Sequence, residues 1–190
     1  TSTSTSAKGD GAAITITCYN ANSVNDGAKL RRCTYYHHAS GADVVVMTDT
    51  RLAQGTTSYD DRKSGASGQT VDLAGRRRVT ATDKLSSKAQ GVAILAPRRS
   101  GQPSRTQLTD WQPRLPKAGL LARRLAAASV SATGSSDTII IVGVYAPSEP
   151  SARVKCTAEL RTWLEELRIR APAGAHIVLT GDFNCTNPNA

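Results

Sequence analysis

Ile177-Val178-Leu179-Thr180-Gly181-Asp182-Phe183-Asn184 is the stretch that decides how this chain is read. An apolar run stops abruptly on a glycine, a carboxylate and an amide, the pattern of a buried central strand carrying an acid at its end. α/β proteins place their sites just past the carboxyl ends of such strands. Asp182 there can bind a metal or take a proton, and Asn184, two residues on, projects to the same side if the backbone stays extended. The same residues also suit a plain turn, because Gly, Asp and Asn tolerate positive φ and bond their own backbone. Whether other strands end in the same way separates the two readings.

Just upstream, Glu149 and Pro150 flanked by Ser148 or Ser151 as cap predict a helix start. Leu160, Trp163, Leu164 and Leu167 then fall at i, i+3, i+4 and i+7, and Pro172 and Gly174 end the helix. Thr138 to Tyr145 is a β-branched run ending in Tyr145-Ala146-Pro147. The Gly134-Ser135-Ser136-Asp137 turn joins it in a hairpin to Arg123–Ala132, whose alanines alone fit strand or helix. Near the start, Ala13-Ile14-Thr15-Ile16-Thr17-Cys18 alternates as a strand and runs into Tyr19-Asn20-Ala21-Asn22-Ser23, two asparagines that either face a ligand or form a turn. A helix is expected over Asp26–Ser40, with His37 and His38 in its last turn rather than as ligands. Asp43 to Met47 is a further strand, and strand, helix, strand at this spacing argues for a crossover between parallel neighbours. It is followed by Thr48-Asp49-Thr50-Arg51-Leu52, which puts a second acid at a strand end; the plain alternative is a turn acid partnered by Arg51.

Between these segments the expectations are coarser. Residues 53–70, rich in Gly, Ser, Thr and Asp, read as a surface loop. Arg76–Thr82 and Gln90–Ala96 read as a hairpin-like pair of strands. Arg98–Gly119, interrupted by prolines 103, 113 and 116, reads as a basic loop in which Trp111 either pins the loop to the core or stacks on a base.

Composition narrows the function. The 190 residues suit one domain, and 39% hydrophobic residues suffice for a core built on Val, Ile, Leu and Ala. No stretch approaches the apolar length of a membrane span, and the first residues, Thr-Ser-Thr-Ser-Thr-Ser, lack the apolar centre of a secretory signal. The expectation is an intracellular, non-secreted, monomeric protein with a disordered segment over 1–12 and one domain over 13–190. Cysteines 18, 33, 156 and 185 form no Cys-x-x-Cys pair and make no zinc spacing with His37, His38 and His176, so free buried thiols are expected. Of 24 Lys and Arg, fourteen lie within 62–124 with three Asp, a local balance of +11, while the remainder carries ten bases and twelve acids. A basic block that segregated points to a polyanionic partner, nucleic acid above all.

Four predicted strands thus finish on polar groups: Asn20 with Asn22, Asp49, Tyr145, and Asp182 with Asn184. Their order, together with Gly91-Val92-Ala93-Ile94-Leu95, resembles the endonuclease/exonuclease/phosphatase superfamily, over roughly residues 13–185. Tyr19-Asn20-Ala21-Asn22-Ser23 is similar to that family's Trp-Asn-Val-Asn-like run, Thr48-Asp49-Thr50 to its Gln-Glu-Thr, Val144-Tyr145-Ala146-Pro147 to its Tyr-x-Pro, and Gly181-Asp182-Phe183-Asn184 to its Gly-Asp-Phe-Asn. The run Asp49 to Leu52, the basic loop and the Trp-bearing helix look most like endonuclease domains of non-LTR retrotransposons, which would make the protein nuclear.

The resemblance implies a four-layer α/β sandwich, two face-packed mixed β-sheets with outer helices. It implies a phosphodiester hydrolase using Mg²⁺ or Mn²⁺, with Asp49 and Asn20 as metal ligands and Asp182, Asn184, Tyr145 and Asn22 in catalytic positions. DNA would lie on Arg76, Arg77, Arg78, Arg98, Arg99, Arg123 and Arg124. Asp49 stands where the family has Glu, one methylene longer, and a shortfall of about 1 Å at a reacting centre can cost on the order of 10²-fold, so slow hydrolysis is expected. The family continues past Gly-Asp-Phe-Asn into strands bearing further acids and a histidine. A chain ending at Ala190 is therefore expected to be truncated at its carboxyl end, with one sheet short of strands and an apolar face uncovered. Two other outcomes remain open: a catalytically silent nucleic-acid-binding remnant, and a member of the same fold acting on phospholipid, phosphoinositide or RNA.

Overall fold

The computed structural model describes residues 3–7, 13–22, 41–50, 58–61, 66–74, 91–98, 105–116 and 118–185. β-branched alternation builds β2 (Ile14–Asn20), and a continuous apolar run builds β3 (Val44–Thr48). The two pair in parallel, Ile16 opposite Val44 through Asn20 opposite Thr48, as the crossover spacing requires. β3 pairs antiparallel with β6 (Val92–Arg98), β6 with β5 (Ala66–Ala74), and β5 with β4 (Ser58–Asp61). β1 (Thr3–Ala7) lies antiparallel on the far side of β2, so the sheet runs β1-β2-β3-β6-β5-β4.

A second sheet runs β10-β9-β8-β7, from His176–Asp182, Ile139–Tyr145, Leu125–Ala132 and Thr106–Leu108. β8 and β9 form the expected hairpin, Leu125 opposite Val144, and β10 joins β9 in parallel after helix α1 (Pro150–Arg170). Tertiary pairing settles what the alanines left open: Ala126 and Ala128 are fully buried between the sheets, where short side chains let the layers approach.

The two sheets pack face to face. Ile14, Ile16, Val44, Val46, Val92 and Ile94 of the first meet Ala126, Ala128, Val130, Ala132 and Ile141 of the second. Gly143 of β9 sits where an added Cβ would lie 2.7 Å from Val46 Cγ1 and 2.8 Å from Val92 Cγ1, so its lack of a side chain sets the layer spacing. Leu160, Trp163 and Leu167 of α1 cover the outer face of the second sheet over Ile140, Val142 and Val144. Val45, Met47, Ala93 and Leu95, on the outer face of the first sheet, are buried as well. Alternate residues of one strand serving two cores explain why β3 reads as unbroken apolar sequence.

Several expectations change. Residues 1–12 were expected to be disordered, yet Thr3–Ala7 form β1, because an edge strand needs backbone partners and β-branched Thr more than an apolar face. The 53–70 surface loop contains β4 and the start of β5, a polar hairpin extending the sheet edge. β6 has β3 on one side and β5 on the other; its expected partner 76–82 and the 26–40 helix lie outside the described residues. The helix cap is Glu149 rather than a serine, with its carboxylate accepting from the amides of Ser151 and Ala152. β10, read as central, has β9 as its single neighbour among the described residues. Ile177 packs toward α1 and Val178 between the sheets, which gives the apolar run, while Leu179 is 40% exposed. Of the cysteines, Cys156 is buried, Cys18 half-buried and Cys185 exposed.

Candidate active site

The carboxyl ends of β2, β3, β9 and β10 meet at one rim of the stacked sheets. Asn20, closing β2, donates through Nδ2 to Asp182 Oδ2 at 2.9 Å, joining the sheets across 162 residues of sequence. Its Oδ1 accepts from the Asn22 amide at 2.8 Å. Asp182 Oδ1 accepts from the Asn184 amide at 3.0 Å, so both carboxylate oxygens are held by N–H donors. Asp49 follows Thr48, whose Cα lies opposite Asn20 in the β2–β3 register, and the Ala21 amide donates to Thr48 O at 2.8 Å. Three non-glycine residues adopt positive φ among those described: Asn22 at 44°, Asp49 at 50° and Asn184 at 48°. All three belong to the predicted site, and Asn and Asp are the residue types that bear this conformation most readily.

Tyr145 stands opposite Asp182 in the β9–β10 register. Burial pushes its phenol up, and the Asp49 and Asp182 carboxylates push it further; the Arg124 cation and the polar Asn184 side chain oppose them. The phenol therefore stays protonated at neutral pH and remains a donor. Asn184 Nδ2 donates to Ala146 O at 2.6 Å. Gly181 permits this closure. At φ 150° a Cβ on it would lie 2.0 Å from Val144 O, so β10 ends where only glycine fits against β9.

The chain matches no protein-family model and no curated protein. Solved structures do match it. A humanized D. rerio TDP2 carrying 14 mutations superposes with a TM-score of 0.56 at 15% identity, over 92% of this chain and 63% of that one. D. rerio TDP2 complexed with a single-strand DNA product gives 0.54 at 16%, over 92% and 62%. An AP endonuclease from Archaeoglobus fulgidus gives 0.51 at 16%, over 90% and 57%. These neighbours have folds of the endonuclease/exonuclease/phosphatase type, and the two-sheet α/β fold of this chain is similar to theirs. At these identities the likeness concerns the fold, and the chain spans about three fifths of the length of the structures it matches.

Within this fold the donor chemistry suits a hard divalent cation. Asp49 and Asp182 supply carboxylates and Asn20 an amide oxygen, all oxygen donors, as Mg²⁺ prefers. Among the described residues no three His, Cys, Asp or Glu cluster, so any ion would keep several waters, which Mg²⁺ does readily. Thr48 adds a second observation: its Oγ1 is buried without a hydrogen-bond partner, directly before Asp49. Val44 and Val46 of β3 face the space between the sheets, and the alternation of a strand sends Thr48 the same way, beneath the rim.

Asn20, Asn22, Asp49, Tyr145, Asp182 and Asn184 thus occupy one rim. The predicted DNA-binding arginines are less uniform. Arg76, Arg77, Arg78 and Arg99 lie outside the described residues, as do the side chains of Arg98 and Arg123. Arg124 is not a free surface cation: its guanidinium lies 5.7 Å from the centre of the Tyr145 ring and donates to Tyr145 O at 3.2 Å. Burial works against its charge, with Cys156 and Tyr145 opposing that effect.

Sequence reading missed Arg153, which donates to the carbonyls of Asn184 and Ser148 and so ties the loop after β10 to α1. A cation in the first turn of a helix opposes the macrodipole, and that mismatch was the available signal. Cys18 was missed too; its thiol is raised mainly by burial, a bond with Thr180 lowers it, and Asp182 raises it again. Trp111 packs against the α1 side of the second sheet, which favours the pinning role. His176 starts β10, at the end of that strand opposite Asp182.

Proposed function

We propose that this chain is a Mg²⁺- or Mn²⁺-dependent phosphodiester hydrolase domain acting on DNA as an endonuclease of retroelement type, with a nuclear location. What carries the reading is the Asn20–Asp182 hydrogen bond, which brings strand ends from two sheets into one polar rim beside Asp49 and Tyr145. A divalent ion on Asp49 and Asn20 would neutralise charge developing on the scissile phosphate. Asp182, fixed by two N–H donors, orients or deprotonates the attacking water with its remaining lone pairs. The Tyr145 phenol, kept protonated by burial and by the neighbouring carboxylates, can donate to a phosphate oxygen. Asn22 holds Asn20 in register for its task. TDP2 bound to a single-strand DNA product supports the choice of DNA, as does the basic block over 62–124. The retroelement assignment rests on the Asp49 to Leu52 run, the basic segment 98–119 and the Trp163 helix.

A second reading has its own support. The rim holds two carboxylates and, among the described residues, no histidine, which favours a domain that binds nucleic acid without cutting it. Nicking of supercoiled plasmid in Mg²⁺, by this chain and by one extended at its carboxyl end, separates the two. Asp182→Ala is expected to abolish nicking. Failure of both proteins to nick while both retain salt-sensitive DNA binding would establish the silent binder.

A further inference from the structure

Away from the rim, a cavity of about 320 Å³ opens between the 109–116 segment and the second half of α1. Its apolar lining comes from Leu167 and from Trp111 and Trp163, the two tryptophans of the chain. Arg114 and Arg170 line it as well, against the single carboxylate of Glu166. Glu166 pairs with Arg170 at 3.4 Å, but both side chains are more than half exposed, so the pair is weak and readily exchanged. The walls are held in place by bonds that make no use of a ligand. Trp163 Nε1 donates to Arg114 O at 2.9 Å, which staples the loop to the helix. Gln112 exchanges bonds with the Ser129 backbone at 2.9 and 3.0 Å, which staples the same loop to β8. A cavity stiffened from both sides has little ordering left to do on binding.

The chemistry of the lining selects its ligand. A purely apolar molecule would leave Arg114 and the readily exchanged Arg170 facing it without an added anion, and an inorganic anion would leave the half-buried Trp111 ring uncovered, Trp163 and Leu167 being buried already. The volume is at the small end of ligand sites, about 300–1,000 Å³, which suits one planar ring with one charged group. We propose that this cavity binds a single nucleotide, the base against the half-buried Trp111 indole and the phosphate on Arg114 and Arg170. Aromatic faces beside cations are the general means of holding unpaired bases. Arg153, which reaches the rim, and Glu166, on the cavity, are thirteen residues apart on α1, so the two places are separated by roughly 20 Å. The nucleotide is either free or an unpaired unit of a strand, and the inference is independent of whether the rim hydrolyses anything.

Because both tryptophans line the cavity, intrinsic fluorescence reads it directly. The full chain carrying Asp182→Ala, which uncouples binding from cleavage, is titrated with AMP, adenosine, inorganic phosphate and a single-stranded oligonucleotide. AMP is expected to change the emission saturably, and to do so at lower concentration than adenosine or phosphate. Arg114→Gln and Arg170→Gln, at exposed positions, should each weaken AMP binding roughly tenfold, the loss of one charge-assisted hydrogen bond. An oligonucleotide acting below the AMP concentration identifies a strand as the source; one acting at or above it identifies the free nucleotide. The inference is overturned if neither AMP nor oligonucleotide gives a saturable change up to about 1 mM. It is equally overturned if both arginine variants titrate as the parent does, or if restoring Asp182 alters the AMP curve, which would place the ligand at the rim.

Discussion

Gly181→Ala tests whether strand closure builds the rim. The added Cβ would sit 2.0 Å from Val144 O and 2.8 Å from Val144 C and N, all backbone atoms of a buried strand that cannot rotate away. Carbon and carbonyl oxygen rest no closer than about 3.3 Å, so the end of β10 must retreat by roughly 1 Å or more. Holding alanine at φ 150° adds strain. Overpacking costs about 1–3 kcal/mol and an unfavourable φ about 1–3 kcal/mol, together about 2–6 kcal/mol. Gly134→Ala is the control: at φ 85° with nothing within 4 Å of its Cβ, it carries the strain without the contact. Urea unfolding followed by circular dichroism should give a lower midpoint for Gly181→Ala than for Gly134→Ala at similar slope. The same retreat pulls Asp182 from Asn20, now 2.9 Å apart, and a shift near 1 Å can cost on the order of 10²-fold in rate. Equal midpoints for the two variants would refute the claim that this glycine sets the strand's closure.

Two further outcomes follow from the rim. Mg²⁺ bound there would stabilise the native state by mass action, so the thermal midpoint should rise with added Mg²⁺ and the rise should vanish in Asp49→Asn; an identical rise in both proteins would move the ion elsewhere. The folded state holds the Tyr145 phenol above its ordinary value of about 10. Its contribution to stability is therefore fully present below pH 10 and is lost as pH climbs from there through the raised value. Tyr145→Phe should make the alkaline limb of the stability profile shallower, and a steeper limb would contradict the assigned direction.

How far the residues alone reveal this molecule depends on the range of the interactions involved. Hairpin β8–β9 and helix α1 were legible because turn residues, apolar spacing and stop signals act within a few positions of one another. The order of strand ends was legible as well, and it named the rim residues. That β10 has a single neighbour among the described residues was not, since an apolar run looks the same whether both its edges are paired or its two faces are covered by different layers. β1 was missed for a related reason: serines and threonines give no apolar pattern, and only the backbone of β2 makes a strand of them. Arg124 counted as surface charge by composition, whereas the ring that receives it lies 21 residues away. Nothing local records such a pairing.

The coincidence of positive φ with the rim ties strain to chemistry. Asn22, Asp49 and Asn184 are the non-glycine residues in this conformation among those described, and each closes a strand that reaches the rim. A left-handed residue costs about 1–2 kcal/mol relative to glycine, so selection for stability alone would place glycine at all three. Their side chains explain the choice of asparagine and aspartate. At position 184 the side-chain amide holds Ala146 O, while the backbone N–H holds Asp182. Asn184→Gly relieves the φ strain and keeps the backbone bond, yet removes the side-chain bond to Ala146 O next to Tyr145. The variant should unfold within about 1 kcal/mol of the parent, because relief of strain offsets loss of the side-chain bond. Its plasmid nicking should fall far more than that change in stability can explain. A variant that loses stability heavily and cuts at the parental rate would show that this asparagine serves the fold alone.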